Sequence, residues 1–96
     1  MLQIAPEAEQ DLVDIWRYIA ADSLINADNF IDTIYASALQ LADFPLSGRA
    51  RPDLGEQIFM FPIERYVMFY QPHTDQAGGI VLLRVLHSAR DISSVF

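Results

Sequence analysis

Arg65, Arg84 and His87 are the residues whose types suit chemistry on a phosphodiester. Cleaving RNA without a metal requires cations against the charge that builds on the phosphorane, and a group that moves protons near neutral pH. The two guanidinium groups supply the first and the imidazole the second. If the strands carrying Arg65 and Arg84 pair with normal twist, these two residues approach each other on one face. His87, three residues beyond Arg84, has the opposite strand parity unless the strand ends or bulges before it. Each residue also has a structural use. Arg65 opens a strand after a turn, where it is solvated or pairs with Glu64. Arg84 lies mid-strand between Leu82 and Leu86, where an unpaired charge is costly, so it either pairs within the protein or faces a partner. His87 and Arg90 flank Ser88 and can close a hydrogen-bond cluster with Asp91.

Other chemistries lack their residues. The chain has no cysteine, which removes disulfides, thiolate nucleophiles and cysteine-bound metal and is compatible with a reducing compartment. Its two histidines have no carboxylate set at ligand spacing, and neither a glycine-rich phosphate loop nor a nucleophile elbow is present. No metal and no cofactor is expected. Acid pairs such as Glu7 with Asp11 and Asp28 with Asp32 fall at i, i+4 on helices and read as solvated faces.

The net charge of −7 argues against nucleic acid as the primary ligand, because a carboxylate-rich surface repels a polyanion. The charge is unevenly placed. Up to Phe44 there are eight acids and Arg17 alone, whereas from Pro45 onward five arginines balance five acids. Lysine is absent. The start, Met1-Leu2-Gln3-Ile4, lacks the basic and apolar regions of a secretory signal, and no 18 consecutive apolar residues occur. The expectation is one cytoplasmic domain spanning residues 1–96, with no membrane partner.

The elements follow from periodicity. A short apolar piece at residues 2–4 leads to Pro6, which suits the first turn of a helix. That helix buries Ala8, Leu12, Ile15, Trp16 and Ile19, gathers acids at its start, and lacks a capping side chain at Ala5. A second helix begins after Ser23 or Asn26, carries Ala27, Phe30, Ile31, Ile34, Ala38 and Leu41 on one stripe, and ends near Asp43. Residues 46–55 read as an ordered loop, with Arg49 and Arg51 pinning it to acids of the helical hairpin. Three antiparallel strands follow at about Gln57–Phe61, Arg65–Gln71 and Ile80–Leu86, with turns at Pro62-Ile63-Glu64 and Pro72–Gly79. The tail from Ser88 is ambiguous.

Both faces of these strands are apolar. Arg65, Val67 and Phe69 alternate with Tyr66, Met68 and Tyr70, and Ile80, Leu82, Arg84 and Leu86 alternate with Val81, Leu83, Val85 and His87. A helical hairpin covers only one face, so the other is expected to present an apolar patch for a partner.

Five segments in order resemble toxins of the RelE/ParE superfamily, in particular the ParE type. They are Pro6-x-Ala8-x-x-Asp11-Leu12-x-x-Ile15-Trp16-x-Tyr18-Ile19, Phe44-Pro45-x-x-Gly48-Arg49, Arg51-Pro52-Asp53-Leu54, Phe61-Pro62-x-x-Arg65-Tyr66-Val67-x-Phe69-Tyr70, and Val85-Leu86-His87-Ser88-Ala89-Arg90-Asp91. The resemblance implies an α+β fold of order β-α-α-β-β-β, with the helical hairpin packed on a small, mainly antiparallel sheet. It also implies a type II toxin neutralised by a cognate antitoxin that lies across it. ParE-like members inhibit DNA gyrase by protein contact, and RelE-like members cut mRNA on the ribosome. The acidic balance and absence of lysine favour gyrase over RNA cleavage by Arg65, Arg84 and His87. A member that has lost toxicity and only binds a partner is the third reading. The expected antitoxin surface is Arg65, Val67, Phe69, Leu82, Arg84, Leu86, His87 and Arg90. Homodimers and hetero-oligomers with antitoxin are both open.

Overall fold

A computed structural model describes residues 1–73 and 78–96. Its elements are β1 (Leu2–Ile4), α1 (Pro6–Ala20), α2 (Leu24–Asp43), β2 (Arg49–Ala50), β3 (Phe59–Ile63), β4 (Tyr66–Pro72), β5 (Ile80–His87) and a final 3-10 turn, η1 (Ile92–Ser94). This is the expected α+β order with one addition, the two-residue β2. The sheet runs β1-β5-β4-β3-β2, parallel between β1 and β5 and antiparallel elsewhere.

Helix boundaries follow local chemistry. Pro6 starts α1 without a side-chain cap, while the Ala5 N–H is taken by the Leu82 carbonyl at 2.9 Å. The Ser23 hydroxyl accepts from the Asn26 N–H at 3.1 Å and caps α2. The two helices lay Ala8, Leu12, Ile15, Ile34, Ala38 and Leu41 on one sheet face, against Met68, Tyr70, Ile80, Leu82 and Val85.

The strands differ from expectation in two places. Pro62 and Ile63 lie within β3, and the turn is Glu64-Arg65, with Glu64 at a φ of 53°. The proline is tolerated because β2 flanks only Phe59 and Met60, so the missing N–H falls on an open edge. The second difference is a bulge in β5. Phe69 pairs with Arg84 but Tyr70 pairs with Leu82, leaving Leu83 as the extra residue. Strand parity therefore reverses. Leu82 and Val85 both enter the helical core, whereas Leu83 and Leu86 belong to the opposite face. The expected second turn, Pro72–Gly79, lies partly outside the described residues.

That opposite face is covered. Val67, Phe69, Leu86 and Ile58 are buried beneath Leu54, Met60, Ile92 and Val95, with the Phe96 ring 5.2 Å from that of Phe69. The bare apolar face expected from the sequence is filled by the loop before β3 and the C-terminal tail, which supply the second apolar layer.

Two glycines are held by close approach. A Cβ on Gly48 would collide with the Tyr70 hydroxyl and lie 2.8 Å from the Met60 carbonyl oxygen. Gly79, at a φ of 94°, would drive one into the backbone of Met1, where β1 meets β5.

Candidate functional site

The residues expected to form a site separate into three environments. Arg84 turns inward to α1. Its Nε donates to Asp11 Oδ2 at 2.8 Å and its Nη2 to Asp11 Oδ1 at 2.9 Å, a two-pronged ion pair. Asp11 Oδ2 also accepts from the Val85 N–H at 2.9 Å. β1 ends alongside Leu82, so further along β5 that edge has no neighbouring strand, and the Asp11 carboxylate takes the place of a strand carbonyl. The hydrogen bond to Asp11 raises the Arg84 pKa above its ordinary value. Asp11, expected on a solvated face, is 8% exposed. Its position could have signalled this, since it falls on the stripe of Ala8, Leu12 and Ile15.

Leu82, Val67, Phe69 and Leu86 form a second group, all within apolar cores. Leu82 belongs to the helical side because the bulge reverses its parity relative to Leu86. The other three lie under the tail.

The third environment is an open cleft of about 690 Å³ where the α1–α2 bend meets the β3–β4 turn and the end of β5. It brings Arg65 and His87 together with Tyr18, Asn26, Asn29, Glu64 and Tyr66. Arg65 and His87 are exposed, and no ion pair engages Arg65 among the described residues. His87 Nδ1 accepts from the Ala89 N–H at 3.1 Å, which leaves Nε2 to carry the proton of the neutral ring. Its ring stands edge-on to Tyr66 at 5.3 Å, and Phe30 backs Tyr66 at 5.5 Å. Burial pushes the Tyr66 phenol above its usual pKa and the neighbouring Tyr18 phenol adds to this, so Tyr66 remains a donor at neutral pH. Tyr18, 77% exposed, and the two asparagines escaped the sequence reading because they come from the helical hairpin, on a face whose partner is fixed only by tertiary packing.

The cleft can present a cation and ring N–H and phenol donors to an anionic or polar group. The expected trio of Arg65, Arg84 and His87 is not assembled there, because Arg84 belongs to Asp11. Arg90 is exposed beyond β5; its N–H donates to the His87 carbonyl, and Asp91 instead caps η1 through Ser93. Arg51 pairs with Asp53 at 2.9 Å and donates to Met60 Sδ, so the loop is pinned locally and not to the hairpin acids. Among the described residues no cluster of His, Asp and Glu could hold a metal ion.

A family model described as the ParE toxin of the type II toxin–antitoxin system parDE matches residues 2–92. The chain belongs to the ParE toxin family. A curated relative, Toxin RelE3 of Caulobacter vibrioides, is 28% identical over 88 residues, covering 91% of this chain and 92% of its own. A solved structure described as a chromosomal ParDE TA system from P. aeruginosa has the same fold, with a TM-score of 0.71 at 18% identity, over 90% of this chain and 92% of that one. This ParE-family chain is thus the toxin of a type II pair, and the family implies a cognate antitoxin. No described helix is long and apolar enough to cross a membrane.

Proposed function

We propose that this toxin acts by protein contact on DNA gyrase and is neutralised by its antitoxin. The observation that carries the reading is the Asp11–Arg84 pair, which withdraws from the surface one of the two cations that phosphodiester cleavage would need. The net charge of −7 supports it, since docking on RNA gains little from such a surface. The antitoxin surface is assigned to the exposed end of the molecule around Arg65, His87 and Arg90. Val67, Phe69 and Leu86 join it only if the tail lifts. The test is supercoiling by purified gyrase. Inhibition that rises with toxin and is abolished by antitoxin is the expected result, and unchanged supercoiling at saturating toxin overturns the reading.

The cleft favours a second reading on one point, since it does unite Arg65, His87 and two tyrosines, and one relative carries a RelE name. An endoribonuclease built there would cut mRNA on ribosomes and lose that activity in His87→Ala. Intact mRNA in arrested cells would sink it. Induced cells that keep growing despite soluble protein would instead support a binding module without toxicity.

A further inference from the structure

The cleft at the α1–α2 bend, about 690 Å³, has the size of a small-molecule site, for which roughly 300–1,000 Å³ is usual. Its lining divides by chemistry. Donors to an anion come from the sheet. Arg65 is exposed and outside any ion pair among the described residues, and the Ala89 N–H holds His87 Nδ1 as an acceptor, so Nε2 carries the ring proton. Aromatic surface comes from both layers. The Tyr66 ring lies 5.3 Å from that of His87 and 5.5 Å from that of Phe30, and Tyr18 adds a ring that is 77% exposed. Asn26 and Asn29, about one turn apart on α2, contribute amides that both donate and accept. Glu64 is the one carboxylate in the lining among the described residues.

We propose that this cleft binds a single nucleoside 5′-phosphate, with the phosphate on Arg65 and His87 Nε2–H, the base against the Tyr18 and Tyr66 rings and its edge on Asn26 and Asn29. The ribose hydroxyls donate to Glu64. Each kind of lining residue then meets one part of the ligand. A simple anion would leave the rings and amides unused, and a bare base would leave Arg65 unpaired. Glu64 repels a phosphate but accepts from a sugar diol, so it favours a ligand whose charge sits at one end. Charge also limits length. The lining sets one arginine against one carboxylate, whereas the hairpin beside it carries eight acids and Arg17 alone, so a longer strand would lay further phosphates over carboxylates. The site is independent of the gyrase reading, and it differs from RNA cleavage in that its occupant is a free nucleotide, bound and not cut.

Adenosine 5′-monophosphate is the probe, since an asparagine amide matches the N6 and N7 edge of adenine. In calorimetry the full chain is expected to bind it saturably, and to bind adenosine and inorganic phosphate each at least about tenfold more weakly. The nucleotide should also shift the ring-nitrogen NMR signals of His87, identified by their loss in His87→Gln. Arg65→Gln should weaken the nucleotide by about tenfold and adenosine by less than about twofold. Arg49→Gln, which removes the same charge on β2, should change nucleotide binding by less than about twofold. Tyr18→Ala should weaken nucleotide and adenosine alike, by about fivefold or more, through the lost stacking. Thermal unfolding confirms that each variant folds. The proposal is overturned if the nucleotide does not bind, if inorganic phosphate binds as tightly, or if Arg65→Gln and Arg49→Gln weaken it equally. Binding that leaves the His87 signals unmoved would overturn it as well. So would an adenylate oligonucleotide that binds more than about tenfold tighter than the monomer, by showing a strand of RNA as the occupant.

Discussion

Asp11 has three hydrogen-bond partners on β5 and little contact with water, so removing it leaves the Arg84 guanidinium and the Val85 N–H without acceptors. Asp11→Ala is expected to cost about 3–5 kcal/mol in urea unfolding, and Asp11→Leu with Arg84→Met to recover most of the loss by packing apolar atoms in the same space. A double variant no more stable than Asp11→Ala would show that the pair does more than satisfy itself. Tyr70 acts at the same scale. Its hydroxyl donates to the Pro45 carbonyl and accepts from the Gly48 N–H, each at 2.9 Å, tying the loop after α2 to the sheet. Burial raises the phenol's pKa. The unfolded chain loses this proton near pH 10 while the folded chain keeps it, so the unfolded state then binds fewer protons. The tyrosine's contribution is therefore complete below about pH 10 and falls as pH rises through the folded pKa. Tyr70→Phe should cost about 1–3 kcal/mol at pH 7 and show a shallower loss of stability in alkali than the wild type.

The tail and the strand junctions are where elements depend on one another. Residues 92–96 place Ile92, Val95 and Phe96 over Val67, Phe69 and Leu86, so deleting them should expose a continuous apolar face. The expected outcome is dye binding typical of exposed apolar surface, with a loss of about 2–4 kcal/mol from uncovering these side chains. If the antitoxin competes with the tail, the truncated chain should also bind it more tightly; unchanged affinity would place the antitoxin elsewhere. Gly79→Ala tests the junction of β1 with β5. The methyl group meets Met1 backbone and the φ is unsuited to a side chain, so β1 is expected to detach, seen as faster amide exchange at Ala5 and Ile80, whose N–H groups pair with Leu82 and Met1.

At the scale of the whole molecule, partner binding and charge dominate. Antitoxin at 100 times its Kd should raise the stability of the toxin by about 2.7 kcal/mol in thermal unfolding, whichever surface it uses. The acidic hairpin should keep the free toxin off DNA even at low salt, and retention on a DNA column would contradict the charge argument. The order of motifs in the sequence carried the resemblance to the family; the sequence by itself also determined the order of the main elements and the two helix stripes, and it left the α2 cap between Ser23 and Asn26. Those properties are written in local chemistry and in periods of 3.6 and 2 that need no knowledge of neighbours. It also made Arg84 suspect, because a charge between leucines demands a partner wherever it points. Only the tertiary structure decided which partner. Asp11 lies 73 positions away, and its role depends on β1 stopping short along β5, while the bulge at Leu83 that reversed the faces of Leu82 and Leu86 has no signature in Ile80-Val81-Leu82-Leu83, where every residue is apolar. The covered sheet face escaped the sequence for the same reason: whether a short tail folds back over Phe69 depends on the free energy of burying surfaces far apart in the chain, which residue spacing does not encode.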